Sequence, residues 1–371
     1  MKIIADNTIP YLKGIAEPVA EVTYLDSKSF TPEQVKEADV LIVRSIDKCT
    51  PALLTGSQVK LITTATIGFD HIDTHYCERQ GIVWKNAPGC NAASVAQYVL
   101  ACLVTLSLRT GEPLRGKTIG IVGVGHVGRL VEQHCQTMGM RVLRNDPPRA
   151  DAEGMEGFVS LAEIATEADV ITLHVPFTKE GDYPTYHLAD NHFFHQLAKR
   201  PWLINSCRGA VHDTAALLAA KQEGQISELV LDCWENEPTI NRELLAQTAL
   251  ATPHIAGFSA DGKANGTRAC LQAIEQYFGI HFDRLPKVQP PAPTNPVIDL
   301  HQWSTDRIQQ AILHTFSPEK VDQTLRDDPE GFEWQRNHYA HPREFTAYQV
   351  VHATPEEACM LSQLGFQVVN A

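Results

Sequence analysis

Thr118-Ile-Gly-Ile-Val-Gly123-Val-Gly125-His126-Val127-Gly128, with Asp146 further along, is the stretch whose reading decides the fold. Residues 118–122 make an apolar run suited to a buried strand, and the glycine turn follows at once. Arg129 to Met138 reads as a helix that Gly139 ends, and Arg141-Val-Leu-Arg-Asn reads as a second strand stopping at Asp146. Strand, glycine turn, helix, strand and acid in that order describe a dinucleotide-binding unit. Gly123 permits the tight turn, Gly125 leaves room for a pyrophosphate against the backbone, and Gly128 lets the helix lie on the strand. The helix start offers free N–H groups and positive dipole to the phosphates. A carboxylate at Asp146 accepts ribose hydroxyls and repels the extra phosphate of NADP, so the expected cofactor is NAD. Arg149 lies near enough to weaken that preference unless Pro147-Pro148 holds it elsewhere.

Working outward, the chain alternates apolar runs with helical stretches on both sides of this unit. Before it, Lys2–Ala5, Asp39–Val43, Val59–Thr63 and Ile82–Trp84 read as strands, and Thr31 with Pro32 marks a helix start. Two loops follow strand ends, Arg44-Ser45-Ile46 and Ala65-Thr66-Ile67-Gly68, with side chains suited to a carboxylate or phosphate. Val95–Arg109 reads as a helix that is apolar almost all round, so it should be buried between layers or domains. After Asp146, strands are expected at 169–174, 201–205, 228–231 and 249–252, with helices between them, which predicts a doubly wound parallel sheet. A proline-rich linker starts at Leu285, and the segment beyond it carries no catalytic constellation.

Composition narrows the function classes. The chain has 371 residues, 43% of them hydrophobic and 20% charged, and a net charge of −13. Such a negative balance argues against nucleic acid or an anionic membrane as partner. The N-terminus has no signal-peptide layout, and the nine cysteines lie scattered without a Cys-x-x-Cys pair, which fits reduced thiols in a cytoplasmic protein.

Three charged residues fall just past expected strand ends in the nucleotide half: Arg208, Glu237 and His254. Strand ends of this architecture line one crevice. An Arg there can grip a carboxylate bidentately. A His can exchange a proton with a hydroxyl or ketone as hydride moves, and a Glu beside it orients the ring. Other candidates carry less. His174, His187, His192 and His195 lack metal-ligand spacing, so no metal is expected. Cys207 has no separate base placed for it and reads as a packed thiol. A Tyr-x-x-x-Lys pair, Tyr24 and Lys28, precedes the glycine turn and lies in the wrong domain for a short-chain dehydrogenase dyad.

Asn205-Ser206-Cys207-Arg208-Gly209, Asp232-x-Trp-Glu-x-Glu237-Pro and Thr252-Pro-His254-Ile-Ala-Gly257, after the glycine stretch and in this order, resemble the D-isomer-specific 2-hydroxyacid dehydrogenases. The resemblance covers about residues 1–280. It implies Arg208 as substrate clamp, Glu237 as partner and His254 as acid/base. It implies an NAD domain over 95–254, inserted in a flavodoxin-like substrate domain made of 1–94 and 255–284. The segment 285–371 would then hold the linker and a C-terminal α+β dimerisation domain.

Asp6-Asn-x-Ile-Pro, Ala87-Pro-Gly-Cys-Asn-Ala and Asp146-Pro-Pro-Arg149 are similar to a narrower branch of that family. That branch oxidises a phosphorylated four-carbon 2-hydroxy acid with NAD in vitamin B6 synthesis. The resemblance implies a homodimer. It implies substrate contacts at Ser45, Thr66, Phe258 and Arg44, and cofactor contacts at Gly123, Gly125, His126, Val127, Gly128, Asp146, Val175, Ser206, Cys207, Asp232 and Gly257. Phe258 stands where the family has Tyr, so a hydroxyl that could reach the substrate is missing, and Phe69 and Thr63 also depart from smaller residues. Two alternatives stay open: a related dehydrogenase, such as one acting on 3-phosphoglycerate, and a non-catalytic NAD sensor of the same fold.

Overall fold

The computed structural model describes residues 1–27 and 29–369, and the backbone divides into two compact units. The first comprises Met1–Asn91 and Ser259–Pro291, the second Ala92–Phe258 and Ala292–Ala371.

The first unit holds a five-stranded parallel sheet in the order β2-β1-β3-β4-β5. Its strands are β1 (Lys2–Asp6), β2 (Glu21–Leu25), β3 (Val40–Val43), β4 (Leu61–Thr64) and β5 (Val83–Lys85). β3 and β4 are buried on both faces, as parallel strands covered by helices require. β2 was not expected, because as an edge strand it is only half-buried and shows no buried run. Tyr24 lies on it and donates to Glu17 at 2.8 Å, while Lys28 lies outside the described residues. The helix Pro32–Val35 starts at Thr31 as expected, and Thr31 and Gln34 form a capping box there. The helix Ala260–Phe278 returns to this unit and packs on β4. A Cβ at Gly266 would stand 2.7 Å from the Ala65 carbonyl oxygen, so glycine sets that close approach.

The second unit holds a six-stranded parallel sheet in the order β11-β10-β9-β8-β6-β7. These strands are β6 (Thr118–Val122), β7 (Arg141–Asn145), β8 (Val170–Leu173), β9 (Trp202–Asn205), β10 (Leu229–Leu231) and β11 (Leu250–Ala251). The chain leaves β6 for β7 on one side and then crosses to β8 on the other. This reversal creates the switch point where such sheets bind ligands. A smaller parallel sheet follows: β12 (Val297–Asp299), β13 (Gln349–Val351) and β14 (Gln367–Val369).

The segment expected to stand apart as a third domain instead clusters with the nucleotide half, and the division falls within the proline-rich stretch, after Pro291. The reason lies in the helix Ala92–Thr110. Fourteen of its residues are buried, and it is long and apolar enough to cross a membrane. The six-stranded sheet covers only part of such a helix, and the C-terminal helices and small sheet share its apolar cluster. Gln97, buried on this helix like the polar Ser94 and Thr105, donates to Thr315 Oγ1 at 3.0 Å and accepts from the Phe345 N–H at 3.2 Å. Asp322 accepts the Ala251 N–H at 2.7 Å and so caps the edge strand β11 from the same segment.

Candidate active site

The glycine turn has the geometry its residues suggest. Gly123 has φ +90°, and a Cβ there would meet the His174 carbonyl at 2.7 Å. A Cβ at Gly128 would stand 2.2 Å from the Gly123 oxygen. At Gly125 a Cβ would meet nothing within 4 Å, so the turn is open at that one point. The helix His126–Thr137 begins there, one turn earlier than Arg129, with Gly125 at its N-cap. His126 is exposed, Val127 is half-buried, and Val175 follows β8 against the turn.

Asp146 ends β7 as expected. Its carboxylate accepts the Val124 N–H at 2.8 Å and the Arg149 N–H at 3.2 Å, tying the acid to the glycine turn. Arg149 is held away from that acid by a bidentate pair with Glu153 and a 2.7 Å bond to the Val124 oxygen. The guanidinium is therefore neutralised rather than presented to a 2′-phosphate.

Asn205, at the end of β9, shapes the next loop. Its Oδ1 accepts the Cys207 N–H at 3.1 Å, and its Nδ2 donates to the Arg208 oxygen at 2.9 Å. Ser206 carries a buried hydroxyl with no hydrogen-bond partner among the described residues, a polar group left for a ligand to satisfy. Burial pushes the Cys207 thiol up to about 11, so it is protonated and packed. Arg208 is exposed and donates from Nη1 to the Cys207 oxygen at 2.7 Å.

Glu237 and His254 meet. Glu237 Oε1 lies 2.5 Å from His254 Nδ1, and Glu237 Oε2 accepts the Trp234 N–H at 3.2 Å. Burial raises the Glu237 carboxyl, but the His254 contact, the Trp234 N–H and the Arg336 charge outweigh it and leave the group below its usual range. An ionised Glu237 accepts, so the proton between them sits on Nδ1, and Nε2 is the ring nitrogen left to exchange a proton.

His254 has φ +55°, a conformation costly for a residue with a Cβ. Asp232, after β10, secures it. The Asp232 oxygen accepts the His254 N–H at 2.8 Å, and its buried carboxylate accepts from Ile255 N at 2.7 Å, Ala256 N at 3.0 Å and Thr252 Oγ1 at 2.7 Å. The Asp232 side chain is buried and holds the turn that carries His254 and Gly257. Tyr98 completes this chain of bonds at Thr252 Oγ1. Tyr98, and Asp232 in its turn-holding role, were missed because hydrogen bonding to a distant turn leaves no local sequence signal, whereas Asn205 acts on its own loop, two and three residues on.

The four histidines between 174 and 195 do not converge. His174 bonds Thr172 at 2.9 Å, His187 pairs with Glu235 at 2.7 Å, His192 meets Gln196, and His195 bonds the Asn191 carbonyl.

In the first unit, Arg44 follows β3, half-buried. Its N–H donates to Asp47 at 2.8 Å and its guanidinium to Thr8, while Ser45 is exposed. Thr66 follows β4 and donates to the Gly68 oxygen at 2.9 Å.

Comparison with known proteins agrees with this geometry. Residues 101–256 match the NAD binding domain of the D-isomer specific 2-hydroxyacid dehydrogenases, and residues 290–365 match a domain of unknown function. An erythronate-4-phosphate dehydrogenase of Porphyromonas gingivalis is 54% identical over 367 residues, which cover 99% of this chain and 100% of that protein. The chain belongs to the erythronate-4-phosphate dehydrogenases, within the D-isomer-specific 2-hydroxyacid dehydrogenase family. The Escherichia coli enzyme of the same name is 38% identical over 374 residues, covering 100% of this chain and 99% of its own. Among solved structures, NAD-bound 3-phosphoglycerate dehydrogenase of Entamoeba histolytica is 28% identical with a TM-score of 0.63, covering 76% of this chain and 97% of that one. D-lactate dehydrogenase of Aquifex aeolicus, complexed with NAD and lactic acid, is 26% identical with a TM-score of 0.60, covering 78% of this chain and all of that one. The chain is an NAD-dependent dehydrogenase. The open Gly125, the Asp146 carboxylate and the unpartnered Ser206 hydroxyl fit that cofactor.

Proposed function

We propose that this chain oxidises 4-phospho-D-erythronate to (R)-3-hydroxy-2-oxo-4-phosphooxybutanoate in pyridoxal 5'-phosphate synthesis, acting as a homodimer in the cytoplasm. The observation that carries the reading is the Glu237–His254 pair with Nε2 left open, in the same unit as the glycine turn. NAD, held by residues 123–128, Asp146, Val175, Ser206, Cys207 and Gly257, supplies the hydride acceptor.

His254 Nε2 takes the proton of the substrate's C2 hydroxyl. Glu237, ionised and bonded to Nδ1, stabilises the imidazolium that results, and general-base action of this kind contributes about 10² to 10⁴ in rate. Arg208 binds the substrate carboxylate with the guanidinium N–H groups not donated to Cys207. Asp232 acts through the turn it holds, so that Nε2 and Gly257 keep their places. Phe258, on the turn that follows His254, contributes an apolar wall.

The test is NADH formation, followed by absorbance, with 4-phosphoerythronate, 3-phosphoglycerate and unphosphorylated erythronate. Selective turnover of the first supports the proposal. Equal rates with and without phosphate would retain a hydroxy-acid dehydrogenase and remove the vitamin B6 assignment. NAD binding without reduction of any substrate would indicate a sensor.

A further inference from the structure

The C-terminal segment reaches the catalytic pair. The helix Phe332–Asn337 buries Phe332 and Gln335, and this anchors Arg336 beside the His254 turn. Arg336 Nε donates to the His254 carbonyl at 3.3 Å. Its guanidinium carbon lies 5.6 Å from the centre of the Phe258 ring, and its charge helps keep Glu237 ionised.

Arg336 differs from most arginines of its unit. Arg109, Arg141, Arg149, Arg242, Arg307 and Arg326 each pair with a carboxylate. Arg336 has no ion-pair partner within contact among the described residues, and its two Nη atoms make no hydrogen bond there. In a chain with 44 acidic and 31 basic side chains, a guanidinium in no ion-pair contact, with Glu237 acting on it only at longer range, is a site beside a catalytic histidine for an anion from outside. Arg208 is the other unpaired guanidinium at these strand ends. The proposed substrate carries two anionic groups, a carboxylate next to the reacting carbon and a phosphate at the far end, and His254 acts between them. The solved 2-hydroxyacid dehydrogenases above are matched along nearly their whole length by about three quarters of this chain, while the segment carrying Arg336 matches a separate domain.

We propose that Arg336 binds the phosphate of the substrate and, with Arg208 on the carboxylate, sets the enzyme's preference for a phosphorylated hydroxy acid. Phe258, which has no hydrogen-bonding group, serves as the face on which the guanidinium rests. The proposal rests on the function proposed above.

The test compares wild type with Arg336→Gln and Arg336→Lys, using 4-phosphoerythronate and erythronate, with NADH fluorescence titration as the check of folding. A charge-assisted bond of this kind is worth about tenfold to a hundredfold. Arg336→Gln should therefore cut the ratio of kcat/KM with phosphate to that without it by that factor, chiefly through KM for 4-phosphoerythronate. Arg336→Lys should recover part of the loss. Inorganic phosphate should inhibit the wild type competitively and Arg336→Gln at least tenfold more weakly. Equal losses on both substrates would make Arg336 a positioning residue of the His254 turn and overturn the proposal, as would an unchanged ratio. A wild type that does not prefer the phosphorylated substrate would remove the underlying functional reading, and that result is visible before any variant is made.

Discussion

Glu237→Gln puts the catalytic pair to a sharp test because the two oxygens of Glu237 have two different donors to satisfy. Oε1 accepts from His254 Nδ1 at 2.5 Å and Oε2 from the Trp234 N–H at 3.2 Å. Glutamine has one oxygen. If that oxygen stays on Nδ1, the new amide opposes the Trp234 N–H and leaves it unmatched, at about 1 to 3 kcal/mol. If the amide turns round, it donates to Nδ1, the ring carries its proton on Nε2, and the base is lost. Either arrangement removes the negative charge opposite the imidazolium. A hydrogen bond to a charged group contributes about 1.5 to 3 kcal/mol, so kcat should fall about tenfold to a hundredfold. NAD affinity should hold, since Glu237 touches none of the residues of the glycine turn. Single-turnover NADH absorbance reads the first effect and NADH fluorescence titration the second. Wild-type turnover in a folded Glu237→Gln protein would refute the assignment of Glu237 as the partner of the base.

The glycines of the turn should separate folding from binding. Gly128→Ala places a Cβ 2.2 Å from the Gly123 oxygen and should lower the Tm, whereas Gly125→Val meets open space, should leave the Tm near wild type and should weaken NAD at least about tenfold by filling the pyrophosphate site; equal Tm losses would contradict this. Burial pushes His134 and His212 each down to about 4, so both are neutral when folded, while the unfolded chain binds their protons below pH ~6.5. Stability should therefore fall as pH drops from 7 to 5, by about 2 kcal/mol for each group, and His134→Leu should flatten the pH dependence of the urea midpoint. An unchanged slope in that variant would show that His134 is accessible. Iodoacetamide at pH 7.5 should label the exposed Cys359 well before Cys207, whose thiol is buried and raised to about 11. Peptide mass spectrometry that found Cys207 first would restore it as a candidate nucleophile.

What could be read from residues alone follows the range of the force involved. Gly123, Gly125 and Gly128 are legible because a turn, an open backbone and a helix–strand contact are each decided within a few residues. Glu237 and His254 are legible as strand-end groups for the same reason, although their 2.5 Å contact is not. β2 escaped because an edge strand that is only half-buried, through residues such as Val22 and Tyr24, carries no continuous hydrophobic run. Asp232 was legible as important, but its hold on the His254 turn was not. A carboxylate after β10 serves equally well pointing outward to a cofactor or inward to three donors of a strained turn, and only the tertiary path of residues 252–256 decides.

The C-terminal segment shows where such reading stops. The all-round apolar character of Ala92–Thr110 already required a second layer to cover it, and that layer is the segment beyond the proline-rich stretch. Nothing in the short sequence around Arg336 marks it as belonging to an active site. It gets there because Phe332 and Gln335 are buried when the segment docks. The burial that completes the core thus also sets a cation beside His254, so the stability of this docking and the discrimination between phosphorylated and plain hydroxy acids are tied together. A substitution that loosens Phe332, such as Phe332→Ala, removes a fully buried aromatic worth about 3 to 5 kcal/mol. It should blunt preference for the phosphate without touching any residue that contacts the substrate. Unaltered selectivity in that variant, with the protein measurably destabilised, would show that Arg336 is held in place by its own contacts with His254 and Phe258.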